Sequence, residues 1–273
     1  CSLHPPAGVH PVIQRIAFLL IVLLGAPAAF AQCAGRVLVS GYFSNNVHVY
    51  DGCNGAFERL LDDQNRIRGP QAVKIGPDGR LYVVSEENGR ILRYDARTLA
   101  YIDTFITTGA GFNATGIAFG PDGDVYLGGY ASDTVRRYDG TTGAFEATVV
   151  AARAAGLNGP DNGLTFGPDG RLYIPAYDSN SVAVYDPASG TTSAFIAPSS
   201  GGLSQTRGIL FEANGNVLVS GEGSNAILRY GPGGNFIGTF VTGLTGPTGL
   251  TRTANGRILV ANNANGAEFI AAD

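Results

Sequence analysis

Covalent and acid–base catalysis need a base held beside a nucleophile, and this chain is poor in bases. It carries three histidines and three cysteines. His4, His10 and Cys1 all precede an apolar leader, which leaves His48, Cys33 and Cys53 in the rest of the chain. No Ser-His-Asp or Cys-His constellation can be assembled for want of a second histidine. The remaining polar residues that recur at equivalent addresses are of another kind: the carboxylates Glu86 and Glu222, the guanidinium of Arg207, the amides of Gln71 and Asn263, and the rings of Tyr42, Tyr130 and Tyr177. Carboxylate and amide oxygens are the hard donors that Ca²⁺ or Mg²⁺ prefers. With an arginine to neutralise them, the same residues make a mouth of rings and polar groups, which is the usual form of a ligand site.

The elements that must position these residues are repeats. Residues 75–106 read IGPDGRLYVVSEENGRILRYDARTLAYIDTFI, residues 119–150 FGPDGDVYLGGYASDTVRRYDGTTGAFEATVV, and residues 166–197 FGPDGRLYIPAYDSNSVAVYDPASGTTSAFIA. Weaker copies begin at Ala34, Phe211 and Thr251. Aligned on the turn glycine they fall at Gly35, Gly79, Gly123, Gly170, Gly215 and Gly256, with steps of 44, 44, 47, 45 and 41. That period belongs to a four-stranded blade, whereas the coils of a β-solenoid are shorter. In each unit an inner strand such as 116–119 ends in a Pro-Asp-Gly or Asn-Gly turn, where proline presets φ and glycine supplies a positive one. Strands two (such as 81–84), three (such as 91–94) and four (such as 145–149) follow. The expectation is an all-β, six-bladed propeller of antiparallel blades with the first and last incomplete. The first unit lacks an inner strand and the last stops without an outer one. Closure calls for chain beyond Asp273, for a tolerated gap, or for a five-bladed ring in which residues 249–253 pair with residues 37–40.

Meander topology brings the loop from strand two to three and the entrance to the inner strand to the same end of every blade. The first set is Tyr42, Glu86, Tyr130, Tyr177, Glu222 and Asn263; the second, just before the inner strands, is Gln71, Thr115, Asn162, Arg207 and Thr248. Together they ring one funnel mouth. His48 falls in an outer strand of the first unit and reads as a packing residue.

Composition agrees with a turn-rich β protein. Forty glycines and 14 prolines make about one residue in five, against about 12% in an average chain. Charged residues are 15% and net charge is −4, with no concentrated basic stripe of the kind that nucleic acid binding needs. Lys74 is the one lysine, and the preference for arginine reads as codon composition. Arg15, the apolar stretch 16–25 and the small-residue site at 29–31 have the order of a secretory signal, too short to span a bilayer. We therefore expect a leader within 1–31 and a propeller domain over 32–273, exported to the periplasm or the exterior. Val12 stands where translation of such a leader begins, making 1–11 untranslated. Two cysteines in an oxidising compartment suggest a Cys33–Cys53 disulfide between two turns at one end of the first blade, with two free thiols as the alternative.

The unit GIAFGPDGDVYLGGYASDTVRRYD resembles the NHL repeat and its six-bladed relatives, the gluconolactonase and senescence-marker lactonases and the virginiamycin B lyase-like propellers. The resemblance covers residues 35–273 and implies a propeller whose central funnel holds a ligand, metal or partner. The lyases work with a histidine and magnesium, and His48 stands in the wrong place for that. The lactonases hold a divalent cation with acidic and amide residues at blade entrances; GPDNGL at 159–164 is similar to one such entrance, and by that likeness Asp161 and Asn162 join Glu86 and Glu222 as a candidate Ca²⁺ or Mg²⁺ set.

Two functions stand at this point. The first is a monomeric, exported binding module, without nucleic acid as partner, that takes a protein, carbohydrate or small-molecule ligand at the funnel face. The alternative is a metal-dependent lactonase-type hydrolase whose cation activates a water. A cell-surface protein, anchored beyond Asp273, is a third.

Overall fold

The computed structural model describes residues 35–62, 64–253 and 256–263 and the backbone of 266–270. They form a β-propeller of antiparallel sheets, each a meander in chain order from the axis outward. Four sheets have four strands, over residues 70–107, 114–150, 165–196 and 206–241; the sheets at 36–60 and 247–270 have three. The 22 strands thus make four complete blades, and the three-stranded sheets in the first and last places together hold strands enough for a fifth blade but not for a sixth, so the expected six-bladed count with incomplete end units is corrected to that. The shortfall lies where the repeats are incomplete: strand Arg36–Gly41 takes the inner place of its sheet, and strand Gly266–Ile270 is the last of its own. The five-bladed closure does not form either, because Arg36–Gly41 and Pro247–Arg252 are hydrogen-bonded into separate sheets. Each packs instead against the inner strand of its neighbour in sequence, Pro70–Ile75 and Thr206–Phe211.

The turn chemistry explains the blades. In the Gly-Pro-Asp-Gly turns the last glycine has φ of 75° to 90° and donates back to the first, as Gly79 N–H does to Gly76 O at 3.0 Å. The turn aspartate then serves the following strand: Asp78, Asp122 and Asp169 accept the hydroxyls of Tyr82, Tyr126 and Tyr173 four residues on, at 3.0, 2.6 and 2.9 Å. A buried tyrosine ring thus keeps its polar end satisfied. The second turn uses another aspartate; Asp139 Oδ1 accepts Thr142 N–H at 2.6 Å and Thr142 O–H at 2.7 Å.

Alternation of buried and exposed positions is lost in the second strands. Strands Val125–Gly129, Leu172–Ala176 and Val217–Gly221 are buried at every position, because each sheet is covered on both faces by its neighbours. Tyr82 and Val84 of one blade pack with Phe112, Ile117 and Leu127 of the next, and Tyr173 and Val184 with Ile209 and Val219. Each such side chain taken fully out of water contributes about 2 kcal/mol.

A polar staple also joins neighbouring blades. Asn45, Asp133, Asn180 and Asn225, all at positive φ in the loop after strand two, accept the backbone N–H at the next blade's entrance: Gly69, Gly159, Gln205 and Gly246 at 2.6 to 2.9 Å. Asparagine and aspartate tolerate this conformation better than other side chains, and here they use it to cap an otherwise unpaired donor.

The expected leader and Cys33 lie outside the described residues. Cys53 is exposed in the turn at 51–56, and Gly52 N–H donates to Gly35 O at 2.8 Å, so the two turns expected to carry the bridge do meet. His48 sits in the middle strand of the first sheet, Nε2 within 2.9 Å of Ser44 Oγ and its ring stacked on Tyr50 at 6.4 Å.

Candidate funnel-mouth site

Asn162 precedes its inner strand, Thr165–Phe166, as expected; the other four entrance residues lie inside theirs, at β-bulges. Pairing jumps from Pro70–Ser85 to Val73–Val83, from Ala114–Gly129 to Gly116–Gly128, from Thr206–Gly221 to Ile209–Val219 and from Pro247–Asn262 to Leu250–Val260. The residues skipped include Gln71, Thr115, Arg207 and Thr248. A bulge bends the strand and re-aims the extra side chain, and the same defect recurs at the same place in four blades; Gln71 and Arg207 turn to the carboxylates of the loop, whereas Thr115 and Thr248 donate to backbone carbonyls. In the remaining blade the defect is larger. Pro160 bridges to Ala176, Leu164 N–H returns to Asp161 O at 3.4 Å, and regular pairing resumes only at Thr165–Phe166. Asp161 and Asn162 occupy that turn. Gly116 permits it, since a Cβ there would meet Asp161 O at 2.5 Å.

The loop residues are held by one repeated backbone bond. Glu86, Tyr130, Tyr177, Glu222 and Asn263 each donate their N–H to an entrance carbonyl, those of Gly69, Asn113, Gly159, Gln205 and Gly246, at 2.8 to 3.2 Å. Both sets of sequence-derived positions therefore share one mouth.

Side chains join part of that set into a single cluster. Arg207 Nε donates to Glu222 Oε2 at 2.5 Å, and Nη1 donates to both oxygens of Asp161 at 3.1 and 3.0 Å. Asn263 Nδ2 holds the other oxygen of Glu222 at 3.2 Å, and the Asn162 N–H donates to Asp161 Oδ1 at 2.5 Å. The guanidinium lies 4.5 Å from the centre of the Tyr177 ring, a cation–π contact. Tyr177 in turn meets Tyr130 edge-on at 6.3 Å, whose hydroxyl donates to Asp178 at 3.1 Å. Asp161 is 1% exposed. Burial pushes its carboxyl above the ordinary value, opposed by the Arg207 charge. For Arg207 itself burial pulls down, but Asp161 and Glu222 outweigh it and hold the guanidinium firmly charged. Burial, with the bond to Asp178, pushes the Tyr130 hydroxyl up to about 12, so at neutral pH it is a donor and not a base.

Glu86 stands apart. Its oxygens accept from Gln71 Nε2 at 2.8 Å and from Asn113 Nδ2 at 3.4 Å. Tyr42 lies on this side, its phenol raised by burial and by the charges of Glu86 and Glu87. The acids expected to hold a divalent cation are thus divided between two hydrogen-bonded groups. Arginine occupies the place between Asp161 and Glu222, and a guanidinium and a divalent cation cannot share it without strong repulsion. Among the described residues the acids whose donor atoms all lie within 4.8 Å of one another are instead Asp124, Asp139 and Glu146. Those three sit on the far side of the blade, around Arg137 and the turn bonds of Asp139.

Two contributors were not marked by the sequence patterns. Asn113 and Asp178 carry hydrogen bonds of the mouth, but each lies one residue away from an aligned address or one step before a bulge, so the repeat alignment passed over them.

Beneath the mouth runs a channel of about 550 Å³, lined by strands Arg36–Gly41, Pro70–Ile75, Thr206–Phe211 and Pro247–Arg252 and including Gln71, Asn162 and Thr248. No family model matches this chain, and no curated protein does. Solved structures do. Virginiamycin B lyase from Staphylococcus aureus is similar over 88% of this chain and 78% of its own, with a TM-score of 0.62 at 18% identity. A putative gluconolactonase-family protein covers 86% of this chain and 84% of its own, with a TM-score of 0.69 at 17% identity. An auxiliary nutrient binding protein from Bacteroides ovatus covers 89% of this chain and 68% of its own, with a TM-score of 0.68 at 13% identity. At such identities the likeness is one of fold, and it is the fold to which the repeats pointed: this chain is a β-propeller, similar in architecture to the lyase and lactonase propellers.

Proposed function

We propose that the chain is an exported binding module whose recognition surface is the funnel mouth. The observation that carries this is the Asp161–Arg207–Glu222 clamp set against Tyr177. The arginine is locked by two carboxylates, its face is covered by one ring, and a second ring stands beside it. Such a site meets a ligand already ordered, so little rotamer entropy is lost on binding. Aromatic rings, a charged group and amides in one concave mouth suit a protein, carbohydrate or small polar ligand. The nutrient-binding neighbour supports a binding role on this architecture. The leader sequence supports export.

The hydrolase reading draws support from the lactonase-like neighbour, but the arginine between Asp161 and Glu222 favours binding without a cation. The test is a screen of the purified protein on glycan and peptide arrays, alongside Tyr177→Ala and Tyr130→Ala. Ligands that bind wild type and are weakened at least tenfold by both substitutions are expected. Hits indifferent to both substitutions, or turnover of a lactone that requires Ca²⁺ or Mg²⁺, would overturn it.

A further inference from the structure

The single lysine of this chain lies in the channel, on inner strand Pro70–Ile75. Lys74 reaches across the axis, and its Nζ donates to Leu164 O, 90 residues away, at 2.5 Å. That carbonyl is available because the turn at 161–164 keeps it out of a sheet ladder. One acceptor satisfies one of three ammonium protons. Among the described residues the ion pairs are all made by arginines, and Lys74 takes part in none of them.

The channel around it has an unusual balance for a protein of net charge −4. Its lining includes Arg36, Lys74 and Arg252 and no aspartate or glutamate. Arg36 and Arg252 are engaged elsewhere, with Glu58 and with Gly256 O. Lys74 is then a half-buried cation without a counter-ion, in a space of about 550 Å³, the size of an ordinary small-molecule site. Asn162 and Thr165 add an amide and a hydroxyl to the same wall.

We propose that the channel is a binding site for a small organic monoanion, whose carboxylate forms an ion pair with the Lys74 ammonium. With Arg36 paired to Glu58 and Arg252 exposed and turned to Gly256 O, the one half-buried cation matches a single negative charge better than a phosphate dianion. Desolvation lowers the Lys74 amine to about 8, as for a charge with no opposite charge beside it. The site shares Gln71, Asn162 and Thr248 with the mouth but uses neither Arg207 nor the tyrosines, so loss of the tyrosine contacts and loss of Lys74 are separable.

A sole lysine makes the test direct. Wild type is acetylated with acetic anhydride at pH 8, and modification of Lys74 is followed by peptide mass spectrometry against the α-amine as internal reference. Benzoate serves as the probe and benzamide as its neutral isostere, at constant ionic strength. Benzoate is expected to slow Lys74 acetylation at least fivefold while benzamide leaves it unchanged, and Tyr177→Ala is expected to keep that protection. Saturation-transfer NMR of benzoate should lose its signal in Lys74→Gln and retain it in Lys74→Arg. Equal acetylation with and without benzoate, equal protection by benzamide, or an undiminished benzoate signal in Lys74→Gln overturns the proposal.

Discussion

Nη1 of Arg207 donates to both oxygens of Asp161, 46 residues earlier in the chain, and so ties the bulge of one blade to the entrance turn of the blade before it. Asp161 is buried, and nothing else of opposite charge is bonded to it. The pair holds the mouth in one geometry as well as charging it.

Removing Arg207 leaves that carboxylate buried without a counter-ion. We expect Arg207→Ala to lower stability by about 3 kcal/mol, the usual cost of breaking a buried pair from one side. Arg207→Met combined with Asp161→Leu should recover much of the loss. Urea unfolding midpoints of the three proteins check this, and a double variant no more stable than the single one counts against it.

Lys74 predicts a pH signature. Its folded pKa of about 8 lies below the unfolded value near 10.5. The unfolded state therefore binds the extra proton between those values, and stability gained from this group rises as pH climbs from 8 toward 10.5. Below pH 8 the folded state bears the cost of a partly desolvated charge. Lys74→Met should thus be more stable than wild type at pH 7 by about 1 to 2 kcal/mol, from 1.36 kcal/mol per unit discounted for the exposure of the group, with the difference shrinking by pH 10. Paired unfolding curves at both pH values measure it, and a difference independent of pH would refute it.

The inter-blade staple is testable at Asn180, which has φ of 52° and accepts the Gln205 N–H at 2.6 Å. Asn180→Gly keeps the conformation and loses the bond, at about 1 kcal/mol. Asn180→Ala loses both and should cost about 1 kcal/mol more. Thermal unfolding of the two variants separates the contributions; equal losses would mean that the backbone conformation carries no cost.

For the first sheet we expect the Cys33–Cys53 bridge in protein recovered from an oxidising compartment. Alkylation without reductant should leave the mass unchanged, and reduction should admit two alkyl groups. Reduction should also lower stability by about 3 kcal/mol, as for a loop of this size. Alkylation of both cysteines before reduction would show two thiols instead.

Local chemistry was legible before any coordinates. Turn glycines at 79, 123 and 170 and the tyrosines four residues after each turn aspartate are fixed by contacts within a few positions of one another, so a repeat alignment finds them. The same locality placed Tyr42, Glu86, Tyr130, Tyr177, Glu222 and Asn263 on one end of the blades. It failed at the bulges, because an extra residue in a strand leaves no mark on turn chemistry or period. Gln71 and Arg207 thus looked like residues before a strand when they lie within one. Lys74 was passed over for a similar reason, since a single cation in an apolar strand shows nothing of what it faces across an axis.

From the sequence alone come the blade, its turns, the incomplete end units and the residues at the mouth, all consequences of interactions that act over a few residues or one repeat. Only the tertiary structure decided which of those residues meet. Whether Arg207 pairs with Asp161 and Glu222, whether Glu86 joins them, and whether Lys74 finds an acid or a carbonyl all depend on how far neighbouring blades rotate about the axis. That rotation is set by packing between buried faces such as those of Tyr173 and Ile209, and side-chain packing across blades has no period that a sequence displays.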